Sequence, residues 1–226
     1  MTDQAIENGI DGGKAAGPRF DDGFRHKLDE LLVWRRDVRR FSPRPVPRDM
    51  VDALIKTACL SPSVGNSQPW RFVTVDDPGR RSRVFDNFRD SNDQAARRYG
   101  GARQEAYRGL KLSGLDDAPV QLAVFADTLT RRGSGLGRGT MPEMLEYSVV
   151  SAITTMWLVG RAMGLGLGWV SILDPLRLKR DLDVPESWRL VAYLCLGYPA
   201  EEHDLPELVR AGWQGRTPWR KLVLRR

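Results

Sequence analysis

Residues 61–70 read SPSVGNSQPW. Ser63, Asn66, Ser67 and Gln68 crowd a short loop with one glycine and two prolines, just ahead of the strand-like run RFVTV. Such a loop can offer backbone N–H groups and side-chain amides to a flat heteroaromatic ring. The same residues also make an ordinary helix stop and turn, because Ser, Asn, Gly and Pro all favour turns. The stretch alone leaves both readings open.

A second unusual stretch lies upstream. RRDVRRF, residues 35–41, sets Arg35, Arg36, Arg39 and Arg40 around a single carboxylate, Asp37. Guanidinium groups pair well with the oxygens of a phosphate. A run of cations is also what the solvated C-terminal end of a helix favours. A helix is expected over 22–34, where Phe24, Leu28, Leu31 and Leu32 recur at helical spacing and lead straight into the arginines.

Outward from these two stretches, a second helix is expected over about 48–59, with Val51, Leu54, Ile55 and Ala58 on one face. Residues 80–113 are mostly polar and arginine-rich, and read as weakly packed helical pieces forming a mobile cover. APVQLAVFAD is a buried strand, RRGSGLGRGTMP a glycine-rich loop, and 142–163 a core helix ended by Gly164. LGWVSIL is a strand, 175–182 a short helix, RLVAYLCLG a last buried strand, and 198–226 a tail. Strands do not alternate strictly with single crossover helices, so the class is α+β. One domain covers 20–226, and the polar segment 1–19 reads as a disordered arm.

Composition excludes several classes. The chain has 226 residues, 41% apolar and 28% charged, and a net charge of +6, which suits a phosphorylated ligand. The basic residues are interleaved with acids and lack zinc-finger or RNP-like motifs, so no nucleic-acid partner is expected. The most apolar helix carries Glu146 and Arg161, so no membrane span is expected. Cys59 and Cys195 sit in apolar segments and read as reduced core residues of a cytoplasmic protein. His26 and His203 read as satisfied surface histidines, and no metal site is expected. Gly164, Gly166 and Gly168 precede a strand, whereas a dinucleotide fingerprint follows one; they read as a place of close backbone packing.

Taken together, RR-x-x-R-x-F and, about twenty residues later, SPS-x-x-NSQPW resemble the nitroreductase-like flavin-enzyme family. The resemblance implies a central mixed or antiparallel sheet with flanking helices, a homodimer with FMN at the subunit interface, and an extended C-terminal arm. YRGLKLSGLDDAPVQLAVFAD (107–127), TMPEMLEYSVVSAI (140–153) and GLGLGWVSILDP (164–175) narrow it to the branch of that family that makes 5,6-dimethylbenzimidazole. Ordinary nitroreductases commonly carry serine where this chain has Asp37.

What the branch implies is specific. Reduced FMN is the substrate, dioxygen the co-substrate, and the products are 5,6-dimethylbenzimidazole and erythrose 4-phosphate. A separate flavin reductase using NAD(P)H would supply the reduced flavin. Flavin contacts are implied at Arg35, Arg36, Asp37, Val38, Arg39, Ser63, Asn66, Ser67, Gln68, Ser171 and, in the GRTPW segment, Arg216. Asp37 would be the general base, kept ionised by its arginines. Ser171 would hydrogen-bond the flavin and steer the oxygen chemistry. Residues 85–110 would form a lid. An ordinary FMN-dependent NAD(P)H nitroreductase or flavin reductase is the alternative.

Overall fold

The computed structural model describes residues 17–226. Most of the expected N-terminal arm, residues 1–16, lies outside the described residues, and 17–19 carry no regular secondary structure. Helix α1 spans Asp22–Trp34, with Asp21 accepting the Phe24 N–H at 2.8 Å as N-cap. Then follow α2 (Arg48–Ala58), β1 (Trp70–Thr74), α3 (Pro78–Ala96), α4 (Gly101–Arg108), β2 (Val120–Asp127), α5 (Met144–Ala162), β3 (Gly166–Val170), α6 (Pro175–Leu182), β4 (Trp188–Gly197) and the single turn α7 (Glu207–Arg210).

The four strands form an antiparallel sheet in the order β1-β2-β4-β3. Its strands are apolar at nearly every position because both faces are covered. Successive side chains of a strand point to opposite faces. Leu122, Val124 and Ala126 of β2 join Ala192, Leu194 and Leu196 of β4 beneath α2 and α5. Ala123, Phe125, Tyr193 and Cys195 face the other way, towards Val84, Leu178 and Leu182 of α3 and α6. Helix α5 buries Leu145, Val149, Ala152, Ile153, Met156 and Gly160, a three-four stripe. Burying each large aliphatic side chain there contributes about 1.5–3 kcal/mol. The helix stops before Gly164, whose φ of +77° is the left-handed geometry that favours glycine.

Three expectations are corrected. The 80–113 region is not weakly packed at its start: Val84 and Asn87 are fully buried, because α3 lies across α6 and the second face of the sheet. Cys59 is exposed, since it caps the end of α2 instead of joining the apolar stripe, while Cys195 is buried as expected. The arginine stretch is not a helix end. Helix α1 finishes at Trp34, and residues 35–41 run extended beside β3.

Candidate active site

The extended run of residues 35–41 docks on the open edge of the sheet. Asp37 bridges Leu167 in parallel, and the Val38 N–H donates to the Leu167 carbonyl at 2.9 Å. At its far end Phe41 bridges Pro199. This approach is possible because β3 presents glycines. A Cβ on Gly168 would overlap the Val38 carbonyl, and one on Gly166 would meet the Val38 side chain at 2.6 Å. The close-packing reading is therefore borne out for Gly166 and Gly168, whereas a Cβ on Gly164 would meet nothing within 4 Å and that glycine serves its left-handed turn. From α5, the Trp157 indole Nε1–H donates to the Arg36 carbonyl at 3.1 Å. Sequence reasoning missed Trp157.

Asp37 sits at the centre of this junction. Its Oδ1 accepts the Trp169 backbone N–H at 2.8 Å, and its Oδ2 accepts from Arg39 Nε at 2.9 Å. Arg39 Nη2 lies 2.8 Å from the same oxygen, and Arg39 Nη1 donates to the Lys111 carbonyl at 2.7 Å. Burial pushes the Asp37 carboxyl above the usual carboxylate range, against the opposing pull of the Arg39 charge and the two hydrogen bonds. The expected pull of the arginines on Asp37 is present, through Arg39, and removal from water acts against it. A carboxylate with a raised pKa is a stronger base near neutral pH.

The arginines divide by role. Arg39 is committed to Asp37 and is only 12% exposed at its side chain. Arg40 pairs with Glu207 at 2.8 Å and Glu201 at 3.3 Å. Arg36 donates to the Asp204 carbonyl at 2.8 Å. The Arg35 guanidinium lies over the Trp157 ring, 4.7 Å from its centroid. Burial lowers the Arg35 pKa; Asp37 opposes this and the charge of Arg216 adds to it. Burial also lowers that of Arg36, with Arg35 and Arg216 adding to the effect. Arg35, Arg36 and Arg216 therefore feel one another's charge. Among the described residues no side chain or carbonyl accepts a hydrogen bond from the guanidinium of Arg35 or Arg216. Two neighbouring cations without acceptors, with Arg36 beside them, fit a phosphate group.

Ser171 follows the end of β3 and is exposed, two residues beyond the Trp169 that Asp37 holds. Residues two apart on an extended strand are about 6–7 Å apart and share a face. The fold thus places Ser171 two residues beyond the backbone N–H that Asp37 accepts.

The loop of residues 61–70 is built separately. Gly65, Asn66 and Gln68 all take positive φ, +56°, +51° and +48°. Left-handed backbone at Gln68 is uncommon for a residue with a side chain. The Gln68 N–H donates to Ser63 Oγ at 3.0 Å, and Gln68 Nε2 to Asn66 Oδ1 at 3.1 Å. The loop packs on the glycine-rich segment near 133: a Cβ on Gly133 would overlap the Gly65 carbonyl. Ser67 is 1% exposed, and its Oγ has no hydrogen-bond partner. A buried hydroxyl without a partner costs roughly 1–3 kcal/mol. It enters β1, while the arginine stretch borders β3, at opposite edges of the four-stranded sheet. Three strand spacings separate those edges, about 14 Å.

The His203 side chain is partly exposed, but its Nε2 is buried. Its Nε2 lies 3.5 Å from Glu201 without a hydrogen bond, beside the arginine stretch. Among the described residues no group of three or more His, Cys, Asp or Glu could hold a metal ion, and no helix is long and apolar enough to cross a membrane.

Residues 32–198 match the model of the Nitroreductase family, a span running from the end of α1 through the last strand. The chain belongs to the nitroreductase family. Among its relatives, the 5,6-dimethylbenzimidazole synthase of Rhodospirillum rubrum is 56% identical over 202 residues, covering 89% of this chain and 96% of the relative. That of Rhodobacter capsulatus is 47% identical over 199 residues, covering 88% and 96%. The solved structure of oxidised iodotyrosine deiodinase bound to FMN and 3-iodo-L-tyrosine shares the nitroreductase fold at a TM-score of 0.65 and 24% identity, over 78% of this chain and 91% of that one.

Proposed function

We propose that this chain is a flavin-consuming oxidoreductase that makes 5,6-dimethylbenzimidazole, the lower ligand of cobalamin, from reduced FMN and dioxygen, with erythrose 4-phosphate as the second product. The observation that carries the reading is the junction at Asp37, in a chain related over nearly its full length to 5,6-dimethylbenzimidazole synthases. One carboxylate of raised pKa stands between cations without acceptors and the strand end bearing Ser171.

In this reading Arg35, Arg36 and Arg216 hold the flavin phosphate. Asp37 takes a proton near the ribityl chain, and Arg39 orients Asp37. Ser171 hydrogen-bonds the flavin and steers the reaction with oxygen. Val38 lines the site with its backbone. Ser63, Asn66, Ser67 and Gln68 serve the ring system, and a second copy of the chain supplies them, because in one chain they stand at the sheet edge away from the arginines. The homodimer also accounts for exposed apolar residues: Phe24, Leu28 and Leu32 on α1, and Trp219, Leu222 and Leu224 in the C-terminal arm. A separate NAD(P)H-dependent flavin reductase delivers reduced FMN, and the reaction belongs in the cytoplasm.

Aerobic incubation with reduced FMN, followed by chromatography, tests the reading. 5,6-Dimethylbenzimidazole and a four-carbon sugar phosphate are expected in equal amounts. Recovery of all the flavin as FMN with hydrogen peroxide, together with NAD(P)H-driven turnover, would establish a nitroreductase or flavin reductase instead.

A further inference from the structure

Ser171 lies in a six-residue link, Trp169–Asp174, held at both ends. Upstream, the Trp169 N–H is bound by Asp37. Downstream, the link is held by Asn87 of α3, which is 0% exposed. The Asn87 Nδ2–H donates to the Asp174 carbonyl at 2.9 Å, and Asn87 Oδ1 accepts the Asp174 N–H at 2.7 Å. The Ser91 hydroxyl adds a hydrogen bond to the same oxygen at 3.3 Å. Asp174 then caps α6, its Oδ1 accepting from the Leu176 N–H at 2.9 Å and the Arg177 N–H at 3.1 Å. Between the two clamps, Ser171 makes no hydrogen bond among the described residues. Its location depends on the backbone of the link.

We propose that Asn87 is a positioning residue for the oxygen step: its amide fixes the backbone of Asp174 and thereby the placement of Ser171. The inference rests on the role given to Ser171 above. An asparagine suits the task because one amide supplies a donor and an acceptor to the two polar groups of one backbone residue. Leucine supplies neither, and aspartate supplies only the acceptor. The clamp also ties α3 to the strand end, so the helix that opens the arginine-rich segment is registered against Ser171.

The test compares Asn87→Leu, Asn87→Asp, Ser171→Ala and Val84→Ala, each given reduced FMN in air. Three quantities are measured: reduced-FMN binding, thermal midpoint, and benzimidazole formed per flavin oxidised. Asn87→Leu should bind reduced FMN within about threefold of wild type while its product yield falls ten- to hundredfold, the scale of a displacement near 1 Å. Hydrogen peroxide should rise in proportion. Asn87→Asp should fall part-way, and it carries the test if the leucine variant does not fold. Val84→Ala empties space on the same helix and should lower the midpoint with an unchanged yield.

A normal yield in both Asn87 variants, with a reduced yield in Ser171→Ala, overturns the proposal and leaves the role of Ser171 standing. A normal yield in Ser171→Ala overturns that role and the proposal with it. An equal loss in Val84→Ala shows that Asn87 contributes only stability, and likewise overturns it.

Discussion

The carboxylate of Asp37 accepts the backbone N–H of Trp169 at 2.8 Å, across 132 positions of sequence. That N–H lies on the open edge of β3, where an unpaired donor would otherwise need water or another strand. One side chain therefore satisfies an edge donor of β3, pairs with Arg39, and holds the strand two residues before Ser171.

Asp37→Asn separates structure from chemistry. Asparagine keeps an oxygen for the Trp169 N–H but accepts no proton at neutral pH. Benzimidazole formation should fall by about 10²–10⁴, the range of a general base, with reduced-FMN binding within about tenfold. Chromatography and a binding titration check both. A normal rate would reduce Asp37 to an edge cap and a partner of Arg39.

The raised pKa of Asp37 has a stability consequence with a definite sign. The folded chain binds this proton more tightly than the unfolded one. Wild-type stability relative to Asp37→Asn should therefore fall as pH rises through the folded value. It should be greatest below the usual carboxylate range. Urea denaturation of both flavin-free proteins at several pH values measures it. The opposite slope would mean that the Arg39 pair outweighs burial.

Phosphate recognition should divide along the line drawn by existing partners. Arg216→Ala removes a charge without an internal acceptor, so FMN affinity should drop about ten- to hundredfold, the equivalent of roughly 1.5–3 kcal/mol for a charged hydrogen bond. Riboflavin affinity should hardly change. Arg39→Ala frees Asp37 and should lower product yield more than FMN affinity. Calorimetry with the two flavins distinguishes these outcomes.

Gly168→Ala places a methyl group against the Val38 carbonyl. Overpacking of this kind costs roughly 1–3 kcal/mol. The arginine stretch should shift off β3, lowering the thermal midpoint and FMN affinity together. An unchanged midpoint would show that the stretch is not held against Gly168 in solution.

If two copies share each site, inactive chains should complement. Mixed after unfolding and refolding, Asp37→Asn and a loop variant such as Asn66→Ala would form hybrids with one intact site each. Random pairing then restores roughly a quarter of wild-type sites. No recovery, or a monomer by light scattering, would place the whole site in one chain.

Much of the fold was legible in local pattern. The apolar runs at 120–127 and 188–197 are strands because both sheet faces are covered, and Gly164 ends α5 through its left-handed φ. The loop around Ser63, Asn66, Ser67 and Gln68 could be picked out because turn-forming and amide residues concentrate there. The path of RRDVRRF could not. Its charges look the same at a helix end and on an extended chain, and only the glycines of β3, some 130 residues away, make room for the extended form. The role of Asn87 was equally hidden, since nothing local marks a polar residue in an arginine-rich helix as buried. Sequence by itself determined the residue types available for the chemistry: one carboxylate, several guanidinium groups and a strand-end serine. Tertiary structure decided their charge and partners. Burial raised the Asp37 pKa against its arginines, and packing committed Arg39 to Asp37 while leaving Arg35 and Arg216 without acceptors, because desolvation and distance are properties of the folded surroundings and not of neighbours in the chain.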